Sequence, residues 1–191
     1  MKLCHHLYHR FRQIPTFGST GTIRRFATNA SEMKKLAGRD FEDLLQCAIP
    51  VFEQLLPEPH NSHVMKLLFR IAEWHGLAKL RMHTEATLAR LEQVTTDLGH
   101  LMRDFQDKTC AKFNTKELER EFEARKRRKA RKEGTKAPKE SRKVKSLNLC
   151  TYKFHALGDY VRTIRMFGTT DSFSSQLVCA GPVLLPGPSE R

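Results

Sequence analysis

Apolar residues recur every seven positions at Leu91, Leu98 and Phe105. A companion row with the same spacing consists of Leu88, Thr95 and Met102. Two such rows predict a long helix from about Thr84 that carries one apolar seam along its length. Because a seam of this kind leaves water only by packing on another apolar surface, the chain needs a partner helix.

The segment before this helix supplies the partner. Asn61 or Ser62 can cap a helix that extends to about Met82, and its apolar stripe comprises Val64, Leu67, Leu68, Ile71, Ala72, His75 and Ala78. We expect its core contacts with Leu91, Leu98 and Phe105 to come from Leu67, Leu68, Ile71 and either Trp74 or its neighbour His75. The pair should form the centre of the fold.

The other elements predicted are also helical. We expect a short helix from Met1 to about Ile14, one from Ser31 to Pro57 kinked at Pro50, a charged one opened by a capping box of Asn114 with Glu117, and a C-terminal amphipathic helix terminated by Gly168. No segment shows the alternating pattern of a strand series. The predicted class is all-α: an irregular helical bundle in which a long helix runs into a basic disordered linker, followed by a separate C-terminal helix.

This pattern divides the chain into five parts. They are a short helix and loop (1–30), a helical bundle core (31–124), a basic helix end with a disordered linker (125–146), a C-terminal amphipathic helix (147–175) and a disordered tail (176–191). The linker is predicted from its Gly, Pro, Ser and Lys content, which leaves it almost nothing to bury.

The positive charge of the chain is concentrated in two places. The formal net charge is +13, yet Arg125 to Lys145 alone hold twelve basic and two acidic residues, and the first thirty-one residues hold five basic residues and no acid. The remainder is close to neutral. This placement favours an extended basic arm over a folded domain with a broad basic face.

The stretch from Arg125 to Lys132 has seven basic residues in eight positions. A segment with this density of positive charge can bind the phosphate backbone of a nucleic acid or the acidic groove of a nuclear import receptor. The plainer alternative is a solvated charged helix end. Since no aromatic residues are interleaved, we expect no sequence-specific recognition. The candidate residues are Arg125, Lys126, Arg127, Arg128, Lys129, Arg131, Lys132, Arg142, Lys143 and Lys145.

Other residues that could carry chemistry do not converge in sequence. Cys4, His5, His6 and His9 are borderline metal donors without a second ligand pair, and His75 and His83 are better explained as structural residues. The chain has no phosphate-binding Gly loop and no G-x-S-x-G or H-E-x-x-H motif. We therefore expect no enzyme activity, no cofactor and no metal.

Cysteine usage and hydropathy indicate the compartment. The five cysteines are widely spaced and odd in number, so we expect reduced thiols in an intracellular protein rather than a disulfide framework. No apolar run is long enough to span a membrane. The basic tract favours the nucleus. The acid-free stretch before Glu32, with its arginines and Ser/Thr residues, leaves a mitochondrial presequence open as an alternative.

Three stretches of the chain resemble one protein family. They begin FRQIPTFGSTGTIRRFATNASEMKKLAGRDFEDLLQ, LLFRIAEWHGLAKLRMHTEATL and LNLCTYKFHALGDYVRTIRMFGTTDSFSSQ, and they span about Arg10 to Gln176. The sequences of these stretches resemble the C-terminal part of transposase-like proteins of basidiomycete fungi, of the Kyakuja–Dileera–Zisupton and Plavaka type.

The resemblance implies a fragment without its own catalytic centre. In such transposases an RNase-H-like core holds two divalent metals with acidic residues, and a helical insertion separates the second and third carboxylates. This chain looks like the insertion, so the metal-binding aspartates are expected upstream of Met1. The KFHALGDY segment, which contains His155, precedes TTDSF. After TTDSF the family continues with an acidic stretch, whereas this chain reads LVCAGPVLLPGPSER.

The function expected is that of a transposon-derived protein associated with nucleic acid in the nucleus. Two alternatives stay open. One is an independent module that binds nucleic acid or another partner through a basic arm, and the other is a mitochondrial matrix protein.

Overall fold

The computed structural model describes residues 3–16, 23, 25–26, 30, 36–113, 115–133 and 141–172. Seven α-helices occur in these ranges: α1 Leu3–Gln13, α2 Gly38–Phe52, α3 His60–Ala78, α4 Glu85–Asp104, α5 Glu119–Glu133, α6 Tyr152–His155 and α7 Tyr160–Phe167. Short 3₁₀ turns at Ala156–Asp159 and Thr170–Ser172 flank α7, and a π-helical turn at Phe105–Cys110 extends α4. The predicted all-α class is confirmed, and the described part contains no β-strand.

The main core lies where α3, α4 and α7 meet. Its buried members are Leu67, Trp74, Ala78, Leu88, Leu91, Val94, Leu98, Val161 and Ile164. α3 and α4 are joined by a short loop, and α4 begins with a capping box in which Thr84 and Thr87 exchange side-chain hydrogen bonds with each other's backbone N–H. The predicted pairing of the two apolar helices is therefore correct, with Leu67 and Trp74 on one side and Leu91 and Leu98 on the other.

Two of the α3 residues predicted to contact α4 lie elsewhere. Leu68 is half-buried and outside the core cluster, and His75 is half-buried, with Nε2 at 3.6 Å from a Glu42 carboxylate oxygen of α2. Ile71 and Phe105 are partly buried against the cluster. The reason is that α3 packs against both α2 and α4, so its apolar residues divide between two neighbours.

A second, smaller cluster joins α1 to α2. It contains Phe11, Ala30, Leu44, Cys47 and Val51. Arg10 connects the same two helices, because its guanidinium donates to the Val51 carbonyl at 3.0 Å and also to the Glu53 carbonyl. Cationic donors at the carboxyl end of a helix satisfy carbonyls that lack an intrahelical partner.

The second predicted helix begins later than expected. α2 starts at Gly38, and the Asp40 carboxylate accepts the Ala37 N–H at 2.8 Å, while Ser31 lies outside the described residues. Pro50 lies within α2, close to its end.

The C-terminal helix is neither continuous nor separate. Residues 147–151 are not helical, and the helical part is divided into α6, a 3₁₀ turn and α7. Val161 and Ile164 belong to the main core, and the Tyr160 ring meets Trp74 edge-on, with centroids 4.7 Å apart. A helix of eight residues needs this packing to be stable. Gly168 ends α7 as predicted, with a φ of 87° that suits glycine.

None of the helices in the described ranges is at once long and apolar enough to cross a bilayer.

Candidate nucleic-acid interface

The basic tract is residues 125–145, and its first part forms the carboxyl-terminal half of α5. Helix α5 has Glu119 and Glu121 in its first turn, and its basic residues other than Arg120 lie further along. Acidic residues near the amino end and basic residues toward the carboxyl end both interact favourably with the helix dipole. The Glu121 carboxylate accepts the Leu118 N–H at 3.1 Å, as the third residue of a helix does in a capping box. Only this half of a capping box is present at Leu118, because a leucine side chain has no acceptor to complete it, and Asn114 lies outside the described residues.

Glu117, expected to be a capping residue, is instead a buried acceptor beneath the tract. Its residue surface is only 4% exposed. Arg125 donates to the carboxylate at 2.5 Å, and the Lys143 N–H donates to it at 3.1 Å. The Arg125 guanidinium also lies 5.3 Å from the centre of the Phe122 ring and donates to the Ser141 carbonyl at 3.2 Å. Glu117 thus joins α5 to the chain that follows it.

The return segment, residues 141–145, lies alongside residues 115–117. Lys116 and Val144 form an antiparallel bridge, the Glu117 N–H donates to the Lys143 carbonyl at 2.9 Å, and the Lys145 N–H donates to the Thr115 carbonyl at 2.7 Å. Arg142 Nε donates to the Glu117 carbonyl at 2.6 Å. The predicted disordered linker is therefore incorrect for residues 141–145, because backbone pairing holds them, and residues 134–140 lie outside the described part.

These contacts lower the pKa of Glu117 below its usual range. The largest cause is the hydrogen bond from Arg125, followed by the backbone hydrogen bond from Lys143 and the positive charges of Arg125 and Lys145, against the opposing effect of burial. A carboxylate that accepts several hydrogen bonds from cations and amides favours its ionised form. Glu117 consequently stays negative at neutral pH and neutralises Arg125.

The ten candidate cations differ in their exposure and contacts. Arg125 and Arg142 are half-buried and donate inward, so they stabilise the local structure. The exposed members are Lys126, Arg127, Arg128, Arg131, Lys143 and Lys145, whereas Lys129 is half-buried and the Lys132 side chain lies outside the described part. The structure therefore gathers most of the predicted residues on one element but assigns two of them a structural contact.

A cleft of about 850 Å³ opens between α5 and the return segment. Its lining includes Arg120, Arg127, Arg128 and Lys129 from the helix and Lys145 from the return segment. The two acids in the lining, Glu117 and Glu121, are already bound to Arg125 and to the Leu118 N–H. The cleft is therefore strongly positive.

The described histidines noted in the sequence lie on different elements of the fold. The side chains of Cys4 and His5 lie outside the described part, and His155 is exposed. His83 Nδ1 lies 3.3 Å from Thr87 Oγ1 at the start of α4. Within the described ranges no three His, Cys, Asp or Glu side chains come close enough to hold a metal ion. Cys47, Cys110 and Cys150 are free thiols.

One polar cluster was not foreseen from the sequence. Thr109, in the π-helical turn, is 2% exposed, and its Oγ1 lies 3.3 Å from His60 Nδ1 and 3.2 Å from His63 Nδ1. The Phe113 ring meets His60 edge-on with centroids 5.1 Å apart. A spacing of three residues between His60 and His63 on a helix face was the available signal, but nothing in the sequence pointed to Thr109.

Comparisons with protein-family models, with curated proteins and with solved structures found no match for this chain. The family resemblance drawn from the sequence stays a prediction.

Proposed function

We propose that this chain binds the phosphate backbone of nucleic acids through the basic tract, without reading the base sequence. The observation that carries the proposal is the state of Lys126, Arg127, Arg128 and Arg131. All four side chains are exposed, and none of them forms a hydrogen bond or an ion pair with another described residue. Cations displayed in this way bind phosphates and release the counterions condensed on the nucleic acid.

The anchoring of α5 supports the same proposal. Because Arg125 is bound to Glu117 and to the return segment, the helix is held against extended chain at its middle. Side chains on an anchored helix lose less conformational freedom on binding than those of a disordered arm. The lack of aromatic residues among the exposed cations favours contacts with phosphates over stacking on bases.

The test is a binding titration with labelled duplex DNA at several salt concentrations. Replacing Lys126, Arg127, Arg128 and Arg131 with Ala removes four phosphate contacts, so the slope of log K against log salt should shrink by about 3 to 4. The matched control removes the same charge from exposed cations elsewhere: Lys66, Lys112, Lys153 and Arg162. A control variant that loses as much affinity as the α5 variant contradicts the proposal.

We also propose that the chain derives from a transposase-like protein and has no catalytic centre of its own. The family resemblance supports this origin. Purified protein with Mg²⁺ or Mn²⁺ and labelled duplex should show no nicking above a buffer control. Metal-dependent cleavage that disappears on mutation of an acid in this chain would contradict the non-catalytic assignment, and an in-frame continuation of the gene that restores the acidic motifs would make the chain part of an enzyme.

For location we propose the nucleus, through an import receptor that binds the exposed cations. A fluorescent fusion should accumulate there, and changing Lys126, Arg127, Arg128 and Lys129 to Ala should reduce the accumulation. An unchanged distribution, or a fusion that marks mitochondria, contradicts this location.

A further inference from the structure

Four arginines of α5 lie on one side of the helix. At about 100° of rotation per residue, Arg120, Arg127, Arg128 and Arg131 fall within an arc of about 100°. Glu119, Glu123 and Lys126 fall outside this arc. Three of the four arginines in the arc line the cleft, and Arg131 continues the same row one turn further along. One row of arginines therefore borders the cleft, whereas the other cations of α5, among them Lys126, lie at other angles around the helix.

The return segment forms a second basic wall. Lys145 lines the cleft opposite the α5 arginines, and its backbone is fixed by the hydrogen bond to Thr115. Its Nζ lies 4.0 Å from Glu121, at the limit of an ion pair. A phosphate in the cleft can therefore receive donors from two elements, which a flat basic surface does not provide.

The size of the cleft selects between nucleic-acid forms. Its volume of about 850 Å³ lies within the range of about 300–1,000 Å³ that is usual for small-ligand sites. A few nucleotides of a flexible single strand can follow a cleft of this size and contact both walls, whereas a rigid duplex can present only its outer phosphates to it. No aromatic side chain is present among the described residues that line it. Contacts with the backbone, rather than base stacking, then determine affinity.

We propose that the cleft between α5 and residues 141–145 binds single-stranded nucleic acid by its phosphodiester backbone. The proposal rests on the proposed function, because it assigns the form of nucleic acid to the same basic tract. Arg127 and Arg128 bind the strand from the helix, and Lys145 binds it from the return segment.

The test compares a labelled oligothymidylate with a duplex of equal length. An oligomer of about 20 nucleotides exceeds the sites of about 4–16 nucleotides that are usual for single-strand binders. The full chain should bind the single strand more tightly than the duplex. The cleft variant carries Arg127→Ala, Arg128→Ala and Lys145→Ala, and the control variant carries Lys66→Ala, Lys112→Ala and Lys153→Ala at exposed cations outside the basic tract, so both lose the same charge.

For single strands the salt slope is about −0.7 per phosphate contact, so the loss of three contacts should weaken binding about 100-fold at about 0.1 M salt. The control variant should stay within about threefold of the parent, because its cations lie outside the cleft. A second variant with only Arg127→Ala and Arg128→Ala leaves the return segment intact, and its affinity for the single strand should fall about 25-fold.

The outcomes separate the two proposals. If neither probe binds the parent chain, the proposed function fails and the cleft proposal fails with it. If the duplex binds at least as tightly as the single strand, the basic tract still binds nucleic acid but the cleft proposal is overturned. If cleft and control variants lose equal affinity, neither proposal stands. Circular dichroism of each variant verifies that the helices are intact.

Discussion

The indole N–H of Trp74 on α3 donates a hydrogen bond to Oγ1 of Thr95 on α4, at 2.9 Å. The Thr95 hydroxyl donates in turn to the Leu91 carbonyl at 2.7 Å. Trp74 is 8% exposed and Leu91 is fully buried, so this short chain of polar groups lies at the edge of the main core. It fixes the rotation of α3 relative to α4, because an indole N–H left unpaired there is costly.

Replacing Thr95 with Val should lower the free energy of unfolding by about 1–3 kcal/mol, because the shape is kept while the acceptor for Trp74 is lost. Thr95→Ser keeps the hydroxyl and is the matched control. Urea unfolding measures both. If the hydrogen bond stabilises the fold, Trp74→Phe should lower the free energy of unfolding by less in the Thr95→Val background than in the parent. Strictly additive losses of free energy would contradict this coupling.

Leu91→Ala should be much more destabilising than Leu68→Ala. Leu91 is 0% exposed, at the centre of the core, and a Leu→Ala change at such a site costs about 2–5 kcal/mol. Leu68 is half-buried and outside that cluster, so its truncation leaves a smaller cavity. Thermal or urea unfolding of the two variants compares them directly. Equal losses would show that the sequence-based placement of Leu68 in the core was right.

The apolar seam of α4 shows how much of the core the seven-residue spacing could predict. The seven-residue spacing identified Leu91 and Leu98, which are both buried, yet it missed Val94, which is 0% exposed. One heptad row describes contact with one neighbour. Helix α4 contacts both α3 and α7, and the second contact depends on a segment that is more than fifty residues further along the chain.

The basic tract shows a second limit. Charge density alone located the candidate cations, but it could not separate Arg125 and Arg142 from the others. Their partner is Glu117, whose other hydrogen bond comes from the Lys143 N–H, 26 residues away. A contact over that distance depends on the return of the chain beside residues 115–117, which local propensity does not encode. The sequence therefore predicted the composition of the site but not its cleft.

Removing the Thr109 hydroxyl should destabilise the junction of α3 with the π-helical turn. Thr109→Val leaves the Nδ1 atoms of His60 and His63 facing a methyl group, at a cost of about 1–3 kcal/mol. Thr109→Ser retains the hydroxyl and should recover most of the loss. Urea denaturation of the three proteins is the measurement. A Val variant as stable as the parent would show that water replaces the hydroxyl without penalty.

Acid should release the return segment from α5. The hydrogen bond from Arg125, the largest cause, holds the pKa of Glu117 below its usual range, so Glu117 binds fewer protons when folded than when unfolded. Its contribution to stability is therefore complete above the ordinary Glu pKa of about 4.3 and is lost as the pH falls through the lowered pKa. The antiparallel bridge between Lys116 and Val144 should weaken over the same interval.

Nuclear magnetic resonance can follow this loss at single residues. The Lys143 amide proton, which donates to Glu117, should change its chemical shift with a midpoint below about 4.3, and the cross-strand contacts of Lys116 with Val144 should fade together with it. Glu117→Gln keeps the size of the side chain but removes the titrating charge, so the acid transition should disappear and the bridge should be weaker at neutral pH. Because Arg125 and Lys143 are positioned through this one carboxylate, the same variant should also loosen one wall of the cleft and weaken single-strand binding at neutral pH. A midpoint at or above the ordinary Glu value, or an acid transition that persists in the Gln variant, would mean that another group holds the return segment in place.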